Sequence, residues 1–102
     1  MKQIEIREKV KQIALSFDKE AKVYLFGSRA RGKYKPDSDW DFLILLNKPL
    51  NKDLKEKIRE KFYYAELETD QVISTLIHNS DHWEQLKVTP LYQIIKSEGI
   101  EI

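Results

Sequence analysis

The strongest constraint on the fold is a segment in which two apolar runs flank a short basic and polar turn. It covers residues 23–46 and reads VYLFGSRARGKYKPDSDWDFLILL. The first run ends in Gly27-Ser28, and the second, Trp40–Leu46, is apolar except at Asp41. Short runs rich in β-branched and aromatic residues are typical of strands, and a nearly continuous apolar run is typical of a strand covered on both faces. The segment therefore predicts two neighbouring strands joined by a turn and a loop.

Composition limits the classes of protein to which the chain can belong. With 102 residues, 41% of them hydrophobic, we expect one small domain over residues 1–102. A net charge of +1 lacks the strongly basic character of nucleic-acid-binding domains, and the absence of cysteine excludes disulfides. No apolar stretch approaches the roughly 20 residues that span a bilayer, and the charged N-terminus is unlike a secretory signal. We therefore expect a cytoplasmic protein with neither a membrane nor a nucleic-acid partner.

The elements outside this segment follow from apolar spacing and capping residues. Helical spacing predicts a first helix over residues 4–17, and Asn51 is predicted to cap a helix that runs to about Leu67. The stretch Asp70–Ile77 is rich in β-branched residues, which predicts a third strand.

Two further helices are predicted in the C-terminal part. Asp81 can cap a short helix, and Thr89 followed by proline begins a last helix that stops at Gly99. Ser28 is likewise predicted to cap a brief helix after the first strand. The resulting order, α-β-α-β-α-β-α-α, predicts an α/β or α+β fold in which a small three-stranded sheet is flanked by helices.

Asp39 and Asp41 are candidate metal ligands. Alternate residues of a strand face the same side, about 6.5–7 Å apart. Two carboxylates at such a short distance repel each other unless a cation lies between them. Magnesium accepts one or two carboxylates and takes further ligands from substrate phosphates. The alternative is that Asp39 belongs to the loop and Asp41 is an exposed edge residue. Since aspartate is unfavourable in strands, its place inside WDFLILL favours a functional role.

A third carboxylate would complete a two-metal site. Asp70 is the first candidate, because it is predicted to open the third strand as Asp39 and Asp41 open the second. Glu68, two residues earlier, is the rival. The alternative for Asp70 is a helix-to-strand turn, where aspartate is common.

Gly27 and Ser28 are candidate phosphate ligands. Glycine permits close approach of the backbone to a phosphate, and a serine hydroxyl at a helix start can donate to its oxygens. Arg29 and Arg31 add cationic donors, which extends the candidate nucleotide-binding set to four residues. Arg31 is equally compatible with a structural salt bridge to a carboxylate.

Other chemistry-bearing residues give weaker signals. His78 and His82 have the i, i+4 spacing of a metal pair, but the residues between them predict a turn, so solvated or capping roles are favoured over zinc. Trp83 and Tyr92 are either core residues or anchors for a partner protein.

The motifs resemble those of a known family. GSRARG at 27–32 followed by SDWD at 38–41 is similar to the signature of the DNA polymerase beta-like nucleotidyltransferases. Within that superfamily the chain resembles the minimal nucleotidyltransferases (MNT) of bacteria and archaea, whose usual C-terminal ending is similar to Thr89–Ile100. The resemblance implies a mixed sheet of three to four strands flanked by helices. It also implies magnesium, with two ions, and ATP or another NTP as substrate.

The resemblance also assigns roles to residues. It places Gly27 and Ser28 in the triphosphate-binding motif, Asp39 and Asp41 as paired metal ligands, and Asp70 as the third catalytic aspartate. Here Asp70 departs from the family pattern, because its neighbours are polar and not apolar.

Proteins of this kind resemble antitoxins encoded with a HEPN-type toxin, which are thought to transfer AMP onto a tyrosine of that helical partner. The leading hypothesis is therefore a protein adenylyltransferase that acts as an antitoxin. The alternative is a non-catalytic antitoxin that neutralises its partner by complex formation. Transfer to a small molecule is a third hypothesis, although 102 residues leave no room for an acceptor-binding domain.

Overall fold

The computed structural model describes residues 3–102, which form one four-stranded sheet with helices on both faces. The elements are α1 (Gln3–Phe17), β1 (Lys22–Phe26), α2 (Ser28–Arg31), β2 (Trp40–Leu46), α3 (Lys52–Thr69), β3 (Ile73–Asn79), α4 (Ser80–Gln85), α5 (Pro90–Glu98) and β4 (Ile100–Glu101). Within these residues no helix has the length and apolar character needed to cross a membrane.

The sheet is mixed, and its strand order is β3-β2-β1-β4. β1 is antiparallel to β2 and to β4, whereas β3 is parallel to β2. The parallel pairing requires a crossover, which α3 provides. Asp41 lies opposite Phe26 of β1 on one side and opposite Ser74 of β3 on the other. The predicted fold class, a small mixed sheet flanked by helices, is confirmed.

One face of the sheet holds the larger core. Trp40, Phe42, Ile44 and Leu46 alternate along β2 and pack on buried residues of α1 and α3. These helical residues are Ile6, Val10, Ala14, Ile58, Phe62 and Ala65. We call this side the α1/α3 face. Its helices show the helical spacing that the sequence predicted.

The opposite side, the α4/α5 face, holds a smaller core. Leu43 and Leu45 of β2 pack there on Trp83, Tyr92 and Ile95. Both aromatic rings are buried, so Trp83 and Tyr92 belong to the core and not to an exposed anchor surface. Asp41 precedes Leu43 by two residues and therefore lies on this same face.

Most local capping predictions are confirmed. Asn51 caps α3 by accepting the Leu54 N–H at 2.8 Å, and Thr89 caps α5 with proline at the first turn. The prediction that Asp81 caps α4 is wrong, since the Asn79 side chain accepts the N–H groups of Asp81 and His82 instead.

Two strand predictions need correction. The third strand begins at Ile73, not at Asp70, because α3 continues through Thr69. Asp70 is the C-cap of α3 in the left-handed conformation, with φ of 57°. Furthermore, the two-residue strand β4, which pairs with β1 at the sheet edge, was not predicted.

Candidate active site

The turn after β1 brings the backbone of Gly27 against the Asp41 carboxylate. Gly27 has φ of 78° and ψ of −159°, a combination that only glycine adopts readily. A Cβ atom at this position would collide with Asp41 Oδ2. The glycine is therefore required both by the backbone geometry and by the approach of the turn to the acidic strand.

Ser28 is the first residue of α2, directly after that glycine. The prediction that its side chain caps this helix is wrong, because Gly27 is the N-cap and no side chain caps the helix. The Gly27 carbonyl accepts the N–H groups of Ala30 and Arg31, both at 3.1 Å, which closes the turn. The hydroxyl of Ser28 is thus not committed to a cap, and its predicted role in binding phosphate stays a prediction.

Asp39 and Asp41 lie at the start of β2, on the α4/α5 face. Asp39 comes just before the first residue of the strand, Trp40, and is exposed, while Asp41 is half-buried. Burial raises the pKa of the Asp41 carboxyl, Asp39 raises it further, and Arg31 opposes the rise. The two carboxylates therefore form a repulsive pair in the absence of a cation, which is the behaviour expected of paired metal ligands.

Arg29 is buried and holds the loop between α2 and β2. Its guanidinium stacks between the rings of Tyr34 and Trp40, at 4.6 Å and 4.2 Å from their centroids. Nη2 donates to the carbonyl oxygens of Pro36 and Ser38 at 3.2 Å and 2.9 Å. Arg29 therefore positions the loop that leads to Asp39, and its contact with a nucleotide stays a prediction.

Arg31 makes an ion pair with Glu98 at the end of α5. Its Nη1 lies 3.1 Å from both carboxylate oxygens of Glu98. The same carboxylate accepts the Gly27 N–H at 3.2 Å. The alternative that Arg31 forms a salt bridge is thus what the structure shows, and its role in phosphate binding stays a prediction.

The residues predicted as third carboxylate lie on α3 or at its C-cap, and not on a strand of the sheet. Asp70 is exposed at the end of α3, three residues before β3. Glu68 lies on the same helix and pairs with Lys9 of α1 at 3.0 Å, in the layer that covers the α1/α3 face. Glu68 lies on the opposite face from Asp41, and Asp70 lies outside β3, so strand geometry directs neither acid to Asp41.

The strand β3 instead places a hydroxyl beside the acidic pair. Ser74 is the register partner of Asp41, and the Val72 carbonyl accepts the Trp40 N–H at 2.9 Å. Val72 and Ser74 are therefore the positions of this segment that share a face with Asp39 and Asp41. Neither is acidic, and residues 3–102 contain no group of three His, Cys, Asp or Glu side chains placed to hold a metal ion.

Sequence reasoning missed two residues of this site, Glu98 and Ser74. Glu98 is separated by 67 positions from Arg31 and by 71 from Gly27, so no local pattern connects them. The position of Ser74 follows only from the register between β2 and β3. That register depends on where β3 begins, which was predicted at Asp70 and lies at Ile73.

Comparison with known protein families finds a matching family. The family profile described as nucleotidyltransferase domain matches residues 4–102. No curated protein gives a significant match.

Solved structures share the fold. A chain from the crystal structure of a toxin–antitoxin with AMP-PNP has a TM-score of 0.64 and 20% identity, over 92% of this chain and 69% of that chain. A chain from the toxin–antitoxin MntA–HpeT, in a mutant with two aspartate-to-glutamate substitutions, has a TM-score of 0.62 and 18% identity with the same coverage. Because the family profile matches nearly the whole chain, this protein belongs to the nucleotidyltransferase domain family.

Proposed function

We propose that the protein is a cytoplasmic antitoxin that transfers a nucleoside monophosphate, AMP from ATP, to a hydroxyl group of its toxin partner. The observation that carries this proposal is the contact between the Gly27-Ser28 turn and the Asp39–Asp41 pair. The proposed phosphate-binding turn lies next to the paired carboxylates there, which is the arrangement that nucleotidyl transfer requires. The family match and the toxin–antitoxin neighbours support it.

The carboxylate pair fits a divalent cation. Asp39 raises the pKa of the Asp41 carboxyl, and a cation between the two carboxylates would relieve that repulsion. Asp39 and Asp41 would hold magnesium, and Asp70 is retained as the proposed third carboxylate of a two-ion site. When bound, magnesium neutralises charge on the triphosphate and on the leaving pyrophosphate.

The other residues of the site bind and orient the substrate. The backbone at Gly27 permits close approach of a phosphate, and the Ser28 hydroxyl donates a hydrogen bond to its oxygens. Arg31, held at the same turn by Glu98, supplies positive charge for the triphosphate. Arg29 fixes the loop that carries Asp39 into the site.

The acceptor is proposed to be a tyrosine of a HEPN-type helical toxin. The solved structures with the same fold come from toxin–antitoxin pairs, which supports a toxin as that protein.

The test is intact-mass spectrometry of the protein encoded by the neighbouring reading frame, incubated with this chain, ATP and magnesium. One or more AMP additions to a tyrosine are expected, and none with Asp41→Asn. Asp37→Asn is the matched control, because Asp37 is an exposed loop acid close in sequence. A tight complex without any modification would contradict the transferase proposal.

A specific observation favours the second candidate function, a non-catalytic antitoxin. The strand positions beside Asp41 and Asp39 carry Ser74 and Val72 and no third acid. If Asp70 does not complete the site, the carboxylate pair can still bind a metal–nucleotide complex without supporting transfer. Asp70→Asn decides this point: unchanged modification of the toxin by the variant would remove Asp70 from the catalytic set.

A further inference from the structure

A cavity lies at the other end of the parallel strands, away from the Asp39 and Asp41 carboxylates. Its volume is about 360 Å³, and it lies between the start of α3, the end of β3 and the start of α4. Asp41 is separated from this end by the rest of β2, about 16 Å at 3.3 Å per residue. The cavity is therefore separate from the proposed nucleotide-transfer site.

The polar lining of this cavity is predominantly cationic or basic. Lys52, Lys55, His78 and His82 line it, and none of its described lining residues is acidic. Neither lysine belongs to an ion pair found among residues 3–102. Asp53, which lies between the lysines in sequence, pairs with Lys57 instead, at 3.2 Å. The positive charges at the cavity are thus not neutralised by the ion pairs of the fold.

The local electrostatics show that these groups act on one another. Burial, His82 and Lys55 all lower the pKa of His78. The cavity also lies at the N-terminus of α3, an 18-residue helix whose dipole adds partial positive charge there. The lowered pKa keeps His78 neutral at pH 7, so Lys52 and Lys55 carry the positive charge of the cavity.

We propose that this cavity is an anion site that binds a phosphate monoester. Lys52 and Lys55 contact the phosphate, and the two imidazole rings, whose centroids are 5.5 Å apart, border the rest of the ligand. Leu50 and Ile77 supply apolar surface in the same cavity. A volume of about 360 Å³ exceeds what a bare phosphate ion needs, so there is room for the organic part of a nucleotide.

A metal ion is the competing occupant, because two histidines are near each other. Two lysines in the same cavity disfavour a cation, and among residues 3–102 no third histidine, cysteine or acid joins the pair to hold a metal. The charge of the site therefore favours an anion.

The test is a titration of the ¹⁵N-labelled full chain, followed by NMR, with inorganic phosphate, AMP and adenosine in the absence of magnesium. Phosphate and AMP are expected to move the amide signals of Ile77, His78 and His82, with AMP binding more tightly. Adenosine alone is expected to leave these signals in place. Equal shifts with adenosine, or phosphate shifts confined to Gly27 and Ser28, would overturn the proposal.

A matched pair of variants separates this site from general charge effects. The double variant Lys52→Gln/Lys55→Gln removes two charges from the cavity and is expected to weaken AMP binding there by about tenfold or more. The control, Lys11→Gln/Lys61→Gln, removes the same charge from exposed helix positions outside the cavity lining and is expected to leave affinity nearly unchanged. An equal loss of AMP affinity in both double variants would show that the effect comes from the net charge of the protein, and would contradict a specific anion site.

A zinc titration completes the experiment. We expect zinc to move the histidine signals only at concentrations above those at which AMP does. Tighter binding of zinc than of AMP would overturn the assignment of the cavity to an anion.

Discussion

The two ends of the β2–β3 pair carry different ionisable side chains. At the end where β2 begins, Asp39 and Asp41 lie beside a glycine turn, and the two carboxylates repel each other. At the end where both strands finish, lysines and histidines surround a cavity without an acidic lining residue. The same parallel strands thus separate the proposed metal and triphosphate site from the proposed anion site.

This difference shows how each kind of site is built. The acidic end is assembled from residues close in sequence, on a turn and the strand that follows it. The basic end is assembled from the start of α3, the end of β3 and the start of α4, so its charges meet only after the crossover is complete. Substitutions at each end should therefore affect different properties of the protein.

The largest expected effect is on transfer, from Asp39→Asn or Asp41→Asn. Each substitution removes a proposed metal ligand, and activity is expected to fall by about 10²-fold or more. Stability without metal should hold or rise, because the repulsion between the carboxylates is relieved. Turnover assays and calorimetric Tm values check the two parts. Transfer activity like that of the wild type in either variant would contradict the paired-carboxylate mechanism.

Gly27→Ala is expected to cause the next largest effect, on both stability and nucleotide binding. The positive φ and the collision with Asp41 add to each other, at a cost of about 1–3 kcal/mol or more in the free energy of unfolding. Gly32→Ala is the control. Gly32 also has a positive φ, 75°, but no other atom lies within 4 Å of the position that an alanine Cβ would take. Equal losses in urea unfolding would show that the approach to Asp41 contributes nothing.

Ser28→Ala is expected to weaken NTP affinity while hardly changing stability. Because the Ser28 side chain does not cap α2, the free energy of unfolding should change by no more than about 0.5 kcal/mol. Calorimetry with magnesium present measures the loss of the proposed phosphate donor. An unchanged dissociation constant would show that the hydroxyl does not contact the substrate.

The smallest expected effect concerns the Arg31–Glu98 pair. A double-mutant cycle with Arg31→Gln and Glu98→Gln should give a coupling of about 0.2–1 kcal/mol, since the arginine side chain is half exposed. Glutamine at position 98 keeps an acceptor for the Gly27 N–H, so the turn should persist. A much larger coupling, measured by urea unfolding, would mean that this ion pair holds the turn.

Local features of the fold were predicted well from sequence. Asn51 and Thr89 were identified as caps, and Trp40–Leu46 as a buried strand, because each depends on neighbouring residues. Asn79 is the cap because α4 begins at Ser80, which places Asp81 inside the first turn of the helix. The short strand β4 gave no local signal, since two residues have no periodicity.

The candidate site was predicted only where its residues are local. Gly27 and Asp41 were paired correctly, since both belong to one motif. Asp70 was expected to open a strand, but α3 extends further and ends on that residue in a left-handed conformation. Glu98 reaches the turn from the last helix, and such a contact depends on the packing of the whole domain.

The central claim is that the Gly27-Ser28 turn and the Asp39–Asp41 pair together bind the substrate. The most direct measurement is an NMR titration of the full chain with magnesium and a non-hydrolysable ATP analogue. We predict that the amide signals of Gly27, Ser28, Asp39 and Asp41 move together and saturate at one ligand concentration, and that Asp41→Asn abolishes this response. Signals at the turn and the acidic strand that stay in place, while those of the lysine and histidine cavity move, would contradict the account.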